Sequence, residues 1–217
     1  MITCPPRIMD FEKFFISSGN IRLDAQLKFT AEIDKMTSVY RKTLLIDRSR
    51  AENDAEHSWH IAVMALLFEE YAVEKVDLRH AMEMLIVHDL IEIYAGDTFA
   101  YDVEGNKTKA AREEAAAEKL FSILPPEQGA KIRALWEEFD AHATPDARYA
   151  DCLDKLQPYF HNIMTEGFTW RNAIAGRRTT RKQVEQRMSP LKDFMPEVWK
   201  WVEHTMNEAV RQGWLVE

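Results

Sequence analysis

Residues 82–96 read MEMLIVHDLIEIYAG, and this stretch decides the fold. Apolar side chains cover nearly the whole circumference of the helix it encodes, which marks a central, buried helix. The spacing predicts one helix over Leu78–Ala95, with Asp77 as its N-cap and Gly96 just past its end. Yet His88, Asp89 and Glu92 stand in the middle of it. A buried carboxylate without a partner is costly, so Asp89 and Glu92 must be paired, protonated or metal-bound.

Working outward, a second helix is expected over about Asp54–Ala72. On it His57 lies in line with Ile61, Met64, Ala65 and Phe68, the stripe that faces the core. A single buried histidine is ordinarily a core imidazole bonded to a backbone carbonyl. A His-Asp doublet inside an apolar helix, with His57 offered from another, is a different case. One divalent metal satisfies all of these groups, and His57, His88 and Asp89 alone leave such an ion under-ligated. The stretch ARYADCLDKLQPYFHNI (147–163) offers Asp151 and Asp154, three residues apart and on roughly one helical face. Periodicity does not choose between them, and either could instead pair with Lys155 or Arg148.

The remaining pattern is helical as well. Residues 22–45 place apolar side chains at three-and-four spacing, and further helices are expected over about Lys107–Leu124 and Glu127–Asp140. Thr144 caps a helix with Pro145 at its first position, running to Gly167 with a kink at Pro158. Thr180 and Gln183 form a capping-box pattern, and a last helix spans about Pro196–Gln212. No two-residue alternation or hairpin signal is evident. The expectation is a single all-α domain over residues 1–217, a helical bundle with its core at about 30–175 and a C-terminal helical extension at about 180–213. The polar loop Gly96–Asn106 borders the buried helix.

At 217 residues, 46% hydrophobic and 29% charged, the chain can bury one substantial core. A net charge of -8 opposes binding to a long phosphate backbone, which needs Lys and Arg to neutralise it. No nucleic-acid partner is therefore expected, and the basic run RRTTRK (177–182) reads as a solvated loop. A small anionic substrate remains compatible, because one metal ion and one arginine reverse the local field. Cys4 and Cys152 stand far apart with no CxxC spacing, which argues against a disulfide framework or thiolate zinc. MITCPPRIMDFEKFF shows no secretory signal, and no apolar stretch is long enough for a bilayer, so a cytoplasmic protein without membrane contact is expected.

The ordered set RAENDAEHSWH (50–60), VHDLIEIYAGD (87–97) and ADCLDKLQP (150–158) resembles the HD-domain superfamily, and within it the 5′-deoxynucleotidases and their bacterial relatives. The resemblance covers about residues 30–175. It implies an all-α bundle of the HD-domain type and a metal held by His57, His88, Asp89 and Asp154, with the LDKLQP context choosing Asp154. It further implies a catalytic role for Glu92 and Asp97, a second metal near that pair, and phosphate binding by Arg41. Homodimer formation is implied in the same way. An imidazole and carboxylate set suits Mn²⁺, Co²⁺, Fe²⁺, Zn²⁺, Ni²⁺ or Mg²⁺ without choosing among them.

The expected function is thus a metal-dependent phosphohydrolase that releases phosphate from (deoxy)nucleoside 5′-monophosphates by a metal-activated water. The competing readings are a phosphodiesterase or pyrophosphohydrolase on another nucleotide, and a non-enzymatic helical module stabilised by its metal. His60, His80, His142, His161 and His204 read as structural or surface residues.

Overall fold

The helix that carries His57 starts where its sequence says it should. Asn53 Oδ1 accepts the Glu56 N–H at 2.9 Å, and Glu56 Oε2 accepts the Asn53 N–H at 3.2 Å, closing a capping box. In this computed structural model, which describes residues 14–172 and 178–217, the chain folds as a helical bundle. Cys4, the N-terminal stretch through residue 13 and Arg177 of the basic run lie outside the described residues.

The elements in chain order are α1 (Ile21–Ile33), β1 (Tyr40–Leu44), β2 (Ala51–Asn53), α2 (Asp54–Phe68), α3 (Leu78–Val87), α4 (Glu92–Ala95), α5 (Val103–Asn106) and α6 (Lys109–Phe121). They continue with α7 (Pro126–Ala141), α8 (Pro145–Met164), α9 (Phe168–Arg171), α10 (Arg181–Phe194) and α11 (Pro196–Arg211). No helix among the described residues is long and apolar enough to cross a membrane.

Two expectations are corrected. Residues 22–45 are not one helix. After α1 the chain makes a 3-10 turn at Asp34–Ser38 and then pairs β1 antiparallel with β2, Tyr40 opposite Asn53 and Leu44 opposite Ala51. Val39, Tyr40 and Thr43 favour extended backbone. The two-residue alternation was masked because one inward residue, Arg41, is charged. The second correction is that Leu78–Ala95 is interrupted. At His88–Ile91 the backbone closes three-residue bonds, Leu90 N–H to Val87 O at 3.1 Å and Glu92 N–H to Asp89 O at 2.9 Å. This tightening turns the chain faster than an α-helix does. No Gly or Pro announces it. Gly96 ends α4 at φ 74°, as its position past the helix end requires.

Helix α8 is the axis of the bundle. Thr144 Oγ1 accepts the Ala147 N–H at 3.1 Å to cap it, and Pro145 occupies its first turn. Its buried side chains Tyr149, Leu153 and Leu156 join Ile61, Leu85, Met188, Leu191, Val202 and Met206 in one apolar cluster. The C-terminal helices α10 and α11 therefore pack into the same core as α2 and α3. A second cluster, around Met84, Ile91, Leu120 and Trp136, joins α3 to α6 and α7. Each such side chain contributes about 1.5–3 kcal/mol of burial. Together they fix α2, α3 and α8 side by side, which brings the polar residues of all three helices to one place.

Candidate metal centre

His57 and Asp154 meet across the bundle, His57 Nε2 lying 3.0 Å from Asp154 Oδ1. His88 Nε2 approaches the same oxygen at 3.7 Å and Asp89 Oδ2 at 3.1 Å, and His57 Nε2 stands 4.0 Å from Asp89 Oδ2. One donor atom each from His57, His88 and Asp154 lies within 4.8 Å of the others. All four residues named by the resemblance thus converge. Asp151 is drawn elsewhere, with Lys155 on one side and His142 Nε2 at 3.1 Å on the other.

Both imidazoles are set with Nε2 facing inward. His57 Nδ1–H donates to Gln157 Oε1 at 2.9 Å, and His88 Nδ1–H donates to the Leu85 carbonyl at 2.9 Å. An Nδ1 proton so engaged leaves Nε2 with a lone pair for a metal. His88 Nε2 is buried and without a hydrogen-bond partner. That orphaned nitrogen and the N, N, O, O donor set fit a divalent cation. Where protons take the place of the ion, burial opposes charge on His88, but Asp89 and Asp154 raise it to about 10. Burial and then Arg41 push His57 down to about 4. Burial would raise Asp154, yet the adjoining His57 and His88 imidazoles hold it well below the carboxylate range.

Arg41 reaches this cluster from β1, its Nη1 2.8 Å from Asp89 Oδ2 and 3.3 Å from Asp54 Oδ1. Its side chain is only 11% exposed, so its charge is spent on balancing buried carboxylates rather than on solvent. Asp54, buried at the start of α2, joins the cluster beyond the residues the sequence pointed to. It stands three residues before His57, hence on the same face, and that spacing was the available signal. Donor atoms of Asp54, Asp89 and Glu92 also lie within 4.8 Å of one another. Burial, and then the charges of Asp89, Asp54 and Asp97, push Glu92 well above the usual carboxylate range. Asp97 lines the adjacent cavity and is itself raised by burial, but it is not a member of that trio.

A cavity of about 250 Å³ opens over the cluster. Arg41, Asp89, Glu92, Asp97 and Asp154 reach its surface, and Phe99, Tyr101, Tyr159 and Trp170 form aromatic wall. Lys42, Lys109 and Arg187 bring positive charge to it. Arg187 comes from α10, and its Nη2 is 3.7 Å from Asp154 Oδ2. Nothing in the helical periodicity of α10 pointed to that role.

The HD domain family model matches residues 33–199. The chain belongs to the HD domain family. A 5′-deoxynucleotidase HDDC2 of Xenopus laevis is 28% identical over 137 residues, 63% of this chain and 63% of that protein. The human 5′-deoxynucleotidase HDDC2 is 26% identical over 137 residues, 63% and 62% of the respective chains. This HD-domain chain therefore aligns with somewhat under two thirds of these relatives' length. A crystal structure of a "predicted metal-dependent phosphohydrolase" from Magnetospirillum magnetotacticum shares 46% identity at a TM-score of 0.85, over 94% of this chain and 100% of that one. An HD-domain phosphohydrolase from Listeria innocua, 18% identical with a TM-score of 0.54 over 86% of each chain, shares the fold.

Proposed function

We propose that this HD-domain protein is a metal-dependent phosphohydrolase that releases phosphate from (deoxy)nucleoside 5′-monophosphates. The observation that carries the reading is the convergence of His57, His88 and Asp154, with both Nε2 atoms inward, at the base of a cavity. His57, His88, Asp89 and Asp154 would hold the ion. A divalent cation there supplies a Lewis acid for a phosphoryl oxygen and lowers the pKa of the attacking water.

The chain's own groups supply the rest. Glu92, buried and inclined to keep its proton, is suited to exchange one with the water or the leaving oxygen. Arg41 lines the cavity, but its Nη1 is committed to Asp89 and Asp54. Arg187 is too far from Asp154 for a hydrogen bond, so it retains donors for phosphate oxygens alongside Arg41. Asp97 faces the cavity where a second cation or a sugar hydroxyl would sit. Phe99 and Tyr101 offer a nucleobase aromatic surface. The cavity volume of about 250 Å³ lies at or below the small end of ligand pockets, which favours a mononucleotide over a dinucleotide. Relatives named as 5′-deoxynucleotidases support the same choice.

The test is phosphate release from a panel of deoxynucleoside and ribonucleoside 5′-monophosphates, cyclic nucleotides and nucleoside triphosphates with Mn²⁺ or Co²⁺. Release from 5′-monophosphates and its loss in Glu92→Gln is expected. Turnover confined to cyclic nucleotides or triphosphates would replace the substrate class. The homodimer implied by the resemblance belongs to the same proposal. Trp59, Leu66 and Leu67 expose apolar surface on α2 that a second copy could cover, and sedimentation equilibrium decides it.

A further inference from the structure

His57 and His88 present the same nitrogen to the metal centre, but they are held in different ways. His88 is oriented by a backbone carbonyl, which has no alternative orientation. His57 is oriented by a side-chain amide, which has two. Gln157 is fully buried, one turn beyond Asp154 on α8. Its oxygen accepts from His57 Nδ1–H at 2.9 Å. Its nitrogen points the other way, into a pocket of acceptors: Glu52 Oε1 at 2.5 Å, His60 Nδ1 at 3.2 Å and His161 Nε2 at 3.2 Å.

Reversing the amide would place its oxygen against the Glu52 carboxylate and its N–H against His57 Nδ1. His57 would then carry its proton on Nε2, the atom that must bind metal. Glu52, 1% exposed and on β2, therefore opposes the reversed amide when ionised. His161 cannot reverse its own role either, because its Nδ1–H is given to the Leu44 carbonyl at the end of β1 at 3.0 Å. Glu52, His60 and His161 also have donor atoms within 4.8 Å of one another, the arrangement of a possible second metal site. The Gln157 amide nitrogen already stands among those atoms. Its two N–H groups serve three acceptors, so the cluster holds the amide rather than an ion.

We propose that Gln157 is a positioning residue of the metal centre: clamped by Glu52, His60 and His161, its amide fixes His57 in the tautomer that offers Nε2 to the metal. The hairpin is then part of the site, since it delivers both Arg41 to the carboxylates and Glu52 to the amide. This inference rests on the metal-binding part of the function proposed above and is independent of the substrate.

Co²⁺ titration of the purified full chain, followed by visible absorption, tests it alongside metal-free thermal unfolding. Gln157→Leu is expected to weaken Co²⁺ binding by about 10–100-fold and to change the absorption band, as loss of a ligand's outer partner does. Gln157→Met, which keeps side-chain volume and offers no oxygen to His57, serves the same comparison where Gln157→Leu does not fold. The swapped pair Glu52→Gln with Gln157→Glu rebuilds one donor-acceptor contact in reverse and still accepts from His57. It is expected to bind Co²⁺ more tightly than Gln157→Leu, a recovery that a merely space-filling residue would not show. Wild-type Co²⁺ affinity and spectrum in folded Gln157→Leu or Gln157→Met would overturn the proposal, as would no rescue in the swapped pair. Two ions per wild-type chain, falling to one in His60→Ala, would make the cluster a metal site and overturn it as well. Failure of the wild-type chain to take up Co²⁺ would overturn this and the phosphohydrolase reading together. Tight Co²⁺ binding without hydrolysis would remove only the latter.

Discussion

Asp154 Oδ1 lies 3.0 Å from His57 Nε2, while Asp151, one turn earlier on the same helix, is held by Lys155 and His142. The two aspartates share a face, yet one is a ligand candidate and the other a structural ion pair. Asp154→Ala should therefore abolish metal uptake, measured by elemental analysis of the purified protein. Asp151→Ala should keep its metal and lose about 1–3 kcal/mol of stability, because Lys155 is left without its buried acceptor.

Arg41 neutralises Asp89 and Asp54 from a nearly buried position. Removing one partner of a buried ion pair costs about 3–5 kcal/mol, far more than the pair itself contributes. Arg41→Met should lower the urea midpoint of the metal-free protein by that order. Saturating divalent metal should restore part of the loss, since the ion neutralises the same carboxylates. An unchanged midpoint would mean that Asp54 and Asp89 are solvated.

Burial raises Glu52 from 4.5 to about 7, and burial followed by the charge of Asp89 raises Asp54 from 3.8 to about 7. A carboxyl group whose pKa is higher folded than unfolded binds more protons in the folded state. Its stabilisation is present at low pH and is lost as pH rises through the folded value. For Glu52 the window is pH 4.5 to about 7. Over that range the metal-free stability of Glu52→Gln should fall less steeply than wild type, by an amount on the order of 3 kcal/mol from the shift of the buried group. Equilibrium unfolding at several pH values reads it, and parallel curves would refute it.

Gly167 adopts φ 65°, and a Cβ there would stand 2.6 Å from Trp214 Cβ. Neither the backbone nor the space accepts a side chain. Gly167→Ala should cost about 1–3 kcal/mol by thermal unfolding. It should also disturb the cavity, because Trp170 follows within one short helix and forms its wall.

Arg187 is brought to the cavity by α10. A hydrogen bond between charged groups contributes about 1.5–3 kcal/mol, or roughly ten- to a hundredfold in binding. Arg187→Ala should raise KM for a monophosphate by that factor, with the metal retained and the melting temperature nearly unchanged. A change in kcat alone would assign it a different role.

Much of this molecule was legible in its residues. Apolar periodicity placed α2, α6–α8 and α11 to within a few residues, and caps placed the starts of α3 and α10, because burial of one face and capping are local properties of a helix. The caps at Asp77, Thr144 and Thr180 are formed from neighbours in the chain and so are local too. The hairpin was missed because its inward positions carry Arg41, and periodicity registers only apolar burial. The turn at His88–Ile91 was missed because nothing in its residues breaks a helix.

The sequence by itself determined that His57, His88, Asp89 and Glu92 sit on faces where polar groups need a partner, and hence that a metal was the economical answer. The LDKLQP resemblance had already favoured Asp154 over Asp151; only the tertiary structure decided which further groups meet: Asp54 beside Glu92, Arg187 over the cavity, and Gln157 behind His57. The reason is separation along the chain. His57 and Gln157 are 100 residues apart, and His57 and Asp154 are 97 apart. Helical spacing reports which face a residue occupies, whereas the partner of a buried polar atom is set by how whole helices pack.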